Sequence, residues 1–168
     1  MKNAYKFCSV CGDRVRLKKK HLRCVSCNFV NYRNARPTAT AIIIHKNKIL
    51  LTKRNNKPFK GWWDLPGGFL DRGEKPEDGI RREMQEELGL GIKLKNILGI
   101  YPGTYPSRHE PFHILSVVYV AEPVNKKLKI LDKEEIAGFR WFSKKELPSK
   151  IAFDSNQIII KDFKKIWK

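Results

Sequence analysis

Acidic residues are scarce in this chain: 17 Asp and Glu stand against 35 Lys and Arg in 168 residues, a formal net charge of +18. Cysteine occurs four times, and no run of Ile, Leu or Val exceeds three residues, as in Ile42 to Ile44. A bilayer span needs about 20 apolar residues, so no transmembrane helix is expected. Met1 to Phe7 lacks the apolar stretch of a secretion signal, so a soluble cytoplasmic protein is expected. All four cysteines fall in two Cys-x-x-Cys pairs, which in a reducing compartment favour metal ligation over disulfides. A 41% hydrophobic share argues against wholesale disorder and suits one ordinary domain with a small appendage.

The charge is unevenly distributed. Residues 1–36 hold ten basic and one acidic side chain, whereas residues 37–142 hold 18 and 13, and residues 143–168 hold seven and three. Such an excess draws phosphate-bearing partners and makes association salt-sensitive. Solubility and a lysine-rich genomic composition explain it equally well, and charge alone names no substrate.

Texture divides the chain into a cysteine and lysine module at 1–32, a connector at 33–36, a main domain at 37–148 and a C-terminal helix at 149–168. The main domain opens with Thr38 to Ile44 and Ile49 to Arg54, two strand-like runs about a polar turn, which predict a hairpin. A glycine-rich loop, Leu65 to Gly73, precedes a predicted helix from Pro76 to Leu88, with proline in its first turn and Gly89 after its last. Further strands are expected at Lys93–Tyr101, His113–Ala121 and Gly138–Phe142. Ile158, Ile159, Phe163, Ile166 and Trp167 predict an amphipathic helix packed on the domain. Together these elements suggest an α+β or α/β/α layered domain.

Cys8 and Cys11 are separated by twelve residues from Cys24 and Cys27, a spacing that suits two knuckles over one tetrahedral Zn²⁺. His21 lies between them, but four cysteines already complete the shell. A closed Cys₄ site leaves no position for chemistry, so the zinc is expected to be structural.

On the predicted helix, Glu83, Glu86 and Glu87 stand at i, i+3 and i+4 and share a face, with Ile80, Met84 and Leu88 as the opposing stripe. Like charges crowded toward a helix C-terminus are unfavourable. Arg82 reaches Glu86 at i+4, and a hard divalent cation would relieve the remainder. A solvated surface face is the plain alternative, against which stand the glycine-rich approach and Glu74 ahead of the helix.

The stretch Gly68 to Leu90 resembles the complete Nudix signature, Gly-x5-Glu-x7-Arg-Glu-φ-x-Glu-Glu-x-Gly-φ, with φ a bulky apolar residue. Trp63-Asp-Leu-Pro-Gly-Gly resembles the usual lead-in, and Arg140-Trp-Phe a late strand of the domain. The resemblance implies an α/β/α sandwich with a mixed sheet and Mg²⁺ (or Mn²⁺) held by Glu83, Glu86, Glu87 and the carbonyl of Gly68. Glu74 and Arg82 become supporting residues that fix loop and helix. The general base is expected to be one of the helix glutamates or a loop carboxylate, for which Glu135 is the candidate and Glu134 its competitor. Gly79 departs from the Ala expected there, at an intrinsic cost of roughly 1 kcal/mol.

A zinc ribbon ahead of such a domain resembles the NADH pyrophosphatase and ADP-ribose pyrophosphatase group. The Ser-Gln-Pro-Trp-Pro-Phe-Pro motif of NADH pyrophosphatases is absent, which leaves ADP-ribose, nucleotide sugars and other dinucleotides open. Tyr101, Tyr105, Arg108 and Phe112 stand there as base or phosphate contacts, or equally as loop and core residues, with Arg54 a further phosphate candidate. The expected reaction is metal-dependent cleavage of a nucleoside-diphosphate linkage in a small nucleotide. The alternatives are processing of an RNA 5′ end held by the basic ribbon, and a non-catalytic nucleotide sensor. Homodimerisation is common among such proteins and stays open here.

Overall fold

Residues 36–54 form the antiparallel hairpin that the sequence predicts, β4 (Arg36–His45) and β5 (Lys48–Arg54), closed by Lys46 and Asn47, both at positive φ. Positive φ at both turn positions matches the right-handed twist of the flanking strands. The computed structural model describes residues 5–19, 21–107, 110–125 and 127–167. Before the hairpin lie β1 (Val15–Lys18), β2 (His21–Cys24) and β3 (Val30–Asn31). After it come β6 (Trp63–Asp64), β7 (Gly67–Phe69), α1 (Pro76–Leu88), β8 (Ile92–Tyr105), β9 (Phe112–Pro123), β10 (Ile136–Phe142) and α2 (Asp154–Ile166).

The first three strands make a small antiparallel sheet. The others make a mixed sheet ordered β10-β5-β4-β9-β8, with β6 on β5 and β7 on β4. Strand β4 lies at its centre, parallel to β9 and antiparallel to β5 and β7. Strand β8 reaches Tyr105, beyond the expected end at Tyr101, because its pairing with β9 continues to Tyr105↔Phe112.

Period-two alternation sorts the strand residues between two helical layers. Ala39, Ala41 and Ile43 of β4, with Leu50 of β5, pack against Ile80, Met84 and Leu88 of α1. Ile42 of β4, with Ile49 and Leu51 of β5, packs against Ile159, Ile160 and Phe163 of α2. Each large aliphatic side chain fully buried in these layers contributes about 1.5–3 kcal/mol.

Pro76 begins α1, and Gly89 ends it at φ 57, its amide bonding Gln85 O while Leu90 N bonds Met84 O. This double closure satisfies carbonyls that would otherwise be orphaned. In α2 the buried stripe is Asn156, Ile159, Ile160 and Phe163, continued by Trp167, while Ile158 and Ile166 are exposed. The expected apolar face is therefore rotated, because the i, i+3, i+4 and i+7 positions begin at Asn156.

Candidate active site

Glu83, Glu86 and Glu87 of α1 differ sharply in environment. Side-chain exposure is 58% at Glu86 and 16% at Glu83, and Glu87 is 7% exposed overall. Glu87 follows Ile80 by seven residues, almost two full turns, so it lies at the edge of the buried stripe rather than opposite it. Burial, reinforced by Glu83 and Glu135, raises the Glu87 carboxyl well above the usual range. Its Oε2 is buried with no hydrogen-bond partner among the described residues. Glu83 is also raised, first by burial against the opposing pull of Arg82, then by Glu86 and Glu135.

Arg82 engages every donor it has between this helix face and the loop. Its guanidinium bonds both oxygens of Glu74 (2.8 and 3.0 Å), Glu83 (3.0 Å), Glu86 (2.9 Å) and the carbonyl of Phe69 (3.1 Å). An arginine offers five N–H groups, so none remains. Glu74 also accepts the amide of Asp71 at 2.9 Å, and these bonds, Arg82 first, hold its carboxyl down at about 2. The glycine-rich loop is thereby clamped to α1.

Close approach explains two glycines of that loop and helix. A methyl group on Gly68 would meet the Glu83 carboxylate at 2.3–2.5 Å, and one on Gly79 would meet Leu70 Cδ2 at 2.4 Å. The helix-propensity cost of Gly79 is thus tied to the room that Leu70 occupies.

Glu135 is brought in by α1 itself. Leu131 N and Lys129 N bond the carbonyls of Glu87 (2.8 Å) and Leu88 (3.0 Å), and Asn55 N bonds Glu135 O at 2.7 Å. Glu135 lines the same cleft as Glu83, Gly68 and Arg82, and Glu134 is not among its lining residues.

That cleft, about 330 Å³, runs from these carboxylates to the start of α2. Tyr105 lines it and stacks on Phe112, with centroids 5.1 Å apart, and Phe69 flanks both rings. Tyr101 stands apart from the lining, packed toward α2 with its hydroxyl 3.4 Å from Asp162. Arg108 lies outside the described residues. Arg54 lines the cleft but spends its guanidinium on Asp64 (2.9 Å), Asn56 (2.9 Å) and Pro58 O (2.8 Å).

Asp64 and Asn156 escaped the reading of the sequence. Burial pushes the Asp64 carboxyl up to about 6 against the pull of Arg54, and Asn156 of α2 donates to it across 92 positions of chain. Asp64 belongs to the Trp63-Asp-Leu-Pro lead-in, the one local signal that marked it.

In the N-terminal sheet the four cysteine sulfurs lie within 4.8 Å of one another, with Cys8 and Cys27 3.7 Å apart and Cys11 and Cys24 3.5 Å apart. A tetrahedron with Zn–S of about 2.3 Å has S···S edges of about 3.8 Å. The cluster therefore fits one zinc ion, and the separations far exceed a disulfide bond. His21 instead packs on Tyr32, with centroids 5.7 Å apart. No helix among the described residues is long and apolar enough to cross a membrane.

Comparison with known proteins supplies the family. Residues 35–163 match the NUDIX domain. The chain belongs to the Nudix family. It is 44% identical over 127 residues to an ADP-ribose pyrophosphatase of Methanocaldococcus jannaschii, an alignment covering 76% of this chain and 71% of that protein. It is 28% identical to the NAD-capped RNA hydrolase NudC of Vibrio parahaemolyticus, over 88% of this chain but only 55% of the relative. A Nudix hydrolase from Nitrosomonas europaea superposes with a TM-score of 0.75 at 27% identity, covering 94% of this chain and 89% of that one. The architecture is the Nudix α/β/α sandwich with a mixed sheet, preceded by a three-stranded sheet with clustered cysteines. The chain is thus a Nudix family pyrophosphohydrolase.

Nudix membership implies a divalent metal, and the α1 end of the cleft fits one. Glu87 Oε2 is buried without a partner among the described residues, and one saturated guanidinium faces Glu74, Glu83 and Glu86. Uncompensated buried carboxylate is costly, and hard oxygen donors are what Mg²⁺ takes.

Proposed function

We propose that this Nudix enzyme hydrolyses the diphosphate bridge of an ADP-ribose-type compound, releasing a nucleoside monophosphate and a sugar phosphate. The observation that carries the reading is that Glu83 and Glu135 line one end of a cleft with aromatic walls and both act on the buried carboxylate of Glu87 behind it, whose Oε2 has no partner among the described residues. The name of the 44% identical archaeal relative supports the substrate class.

Glu83, Glu86, Glu87 and the Gly68 carbonyl would hold Mg²⁺ or Mn²⁺. When bound, such an ion neutralises diphosphate oxygens and acidifies a bound water. Arg82 and Glu74 fix the glutamates and the loop relative to one another. Glu135 accepts the proton of the attacking water. The water oxygen joins one phosphorus, the bridging P–O bond breaks, and both products leave as monophosphates. Tyr105, packed between neighbours that include Phe112 and Phe153, belongs to the aromatic wall that would meet the base.

The test is a panel of ADP-ribose, NADH, NAD⁺, nucleotide sugars, nucleoside triphosphates and NAD-capped RNA with Mg²⁺, using Glu86→Gln as the blank. Monophosphate release from ADP-ribose that the blank lacks is expected. Turnover confined to triphosphates would overturn the substrate class.

A second reading, action on RNA 5′ ends, draws on the small sheet. Arg16 and Arg23 sit directly opposite each other on β1 and β2, an unfavourable pairing that an anionic strand would relieve. Preference for NAD-capped RNA over ADP-ribose in the panel, lost at high salt, would select it.

A further inference from the structure

The α2-facing side of the central strands changes character at one point. On β4, Ile42 is preceded by Thr40 and Thr38 on the same face; on β9, Val118 is preceded by Ser116. The strands run in parallel register, with Thr38 beside Ser116, Thr40 beside Val118 and Ile42 beside Val120. The aliphatic half of this surface joins Ile159, Ile160 and Phe163 in one core, whereas the three hydroxyl residues line the cleft.

These hydroxyls are buried and underused. Exposure is 7% at Thr38, 8% at Thr40 and 3% at Ser116. Thr40 Oγ1 and Ser116 Oγ share one hydrogen bond of 2.9 Å, and Thr38 Oγ1 has no partner among the described residues. Each hydroxyl brings one donor and two acceptor lone pairs, so three hydroxyls spend a single donor. Valine has nearly the shape of threonine and an equal liking for strands, and it would extend the core here without leaving polar atoms unsatisfied.

The chemistry of the floor narrows what it takes. The cations that line the cleft are engaged beside it: Arg82 gives its five N–H groups to Glu74, Glu83, Glu86 and the Phe69 carbonyl, and Arg54 gives three of its five to Asp64, Asn56 and the Pro58 carbonyl. A phosphate would compete with Asp64 and the α1 carboxylates for those guanidiniums, and an apolar group would leave the hydroxyls unpaired. Phe69 and Tyr105 line the same cleft. Donor-rich floor and aromatic rim together match a sugar, which has hydroxyls on its edges and an apolar C–H face.

We propose that Thr38, Thr40 and Ser116 form a sugar-binding floor that reads the ribose hydroxyls of the diphosphate substrate and discriminates against deoxygenated sugars. The inference rests on the diphosphatase reading above. It adds specificity-determining residues, acting in binding rather than in the bond-breaking step.

The test compares ADP-ribose with two analogues, one deoxygenated on the adenosine ribose and one on the distal ribose. Wild-type protein is expected to favour ADP-ribose over one of them by on the order of 10- to 100-fold in kcat/KM, the loss expected when a buried hydroxyl of the floor is left unpaired. Which analogue suffers identifies the ribose that sits on the floor. Thr40→Val and Ser116→Ala should shrink that ratio to within about twofold, through KM rather than kcat, and Thr40→Ser should restore it. Thermal unfolding confirms that each variant is folded. A wild type indifferent to both deoxygenations, or a Thr40→Val variant that keeps the full ratio, overturns the proposal.

If no compound of the panel is hydrolysed, it is the catalytic reading that fails. The floor is then judged by calorimetric titration of ADP-ribose into wild type and Thr40→Val. About tenfold weaker binding in the variant supports it, and equal binding or none in the wild type overturns it.

Discussion

The carboxylate of Glu83 rests against the α-carbon of Gly68, so that a methyl group there would lie 2.3 Å from one carboxylate oxygen and 2.5 Å from the other. Glycine at this point sets how far Glu83 reaches across the gap between loop and helix. Gly68→Ala must push the carboxylate aside, and a displacement of about 1 Å in a catalytic constellation costs on the order of 100-fold in rate. Steady-state turnover should fall by that order while far-UV circular dichroism stays unchanged. A variant with full activity would show that the position of Glu83 is not limiting.

Glu87 makes a prediction of opposite sign in the presence and absence of metal. Its carboxyl is raised by burial, so its favourable contribution belongs to the low-pH range and is lost as pH rises through the raised value. Glu87→Gln should therefore raise the melting temperature of the metal-free protein near neutral pH. Added Mg²⁺ should stabilise the wild type, by about 2.7 kcal/mol at 100 times its Kd, and the variant much less. Equal Mg²⁺ shifts in both proteins would remove Glu87 from the metal site.

The clamp between Glu74 and Arg82 should be visible in acid. The folded carboxyl sits at about 2 and the ordinary value is 4.5, so its stabilising effect is complete above about pH 4.5 and disappears as pH falls toward 2. Urea unfolding of wild type and Glu74→Gln across this range should show a gap that closes with falling pH. A gap that stays constant would mean that the charge of Glu74 is not what stabilises the loop.

Zinc should be stoichiometric and local. One ion per chain is expected by elemental analysis, with none retained in Cys24→Ser. Hydrogen exchange in that variant should speed up across β1 to β3 while the amides of β4 and β9 remain protected. Zinc content unchanged by the substitution would argue for a different ligand set.

Much of this was legible because the informative features are local. The α1 boundaries follow from Pro76 and Gly89, the hairpin from two apolar runs about Lys46 and Asn47, and the cysteine cluster from spacing alone. The i, i+3 and i+4 spacing groups the three carboxylates on one face, whereas the burial of Glu87 follows from its place seven residues after Ile80, nearly two full turns. The bond between Asp64 and Asn156 joins residues 92 positions apart, and no local pattern announces it. Thr38, Thr40 and Ser116 read as ordinary strand residues, since β-branched propensity is the same whether a hydroxyl faces water, core or ligand. Only the parallel pairing of β4 with β9, a long-range relation, puts them on one floor.

The amides of Lys129 and Leu131 close the end of α1 by taking its last carbonyls, and the loop they belong to leads directly into Glu135. Helix and loop are consequently one mechanical part, a jaw that carries Glu83, Glu87 and Glu135 at fixed mutual spacing. Phe153, Ser155 and Asn156 form the facing jaw at the head of α2. Because main-chain hydrogen bonds tie loop to helix, the spacing of the three carboxylates is written into the backbone and not left to side-chain contacts alone.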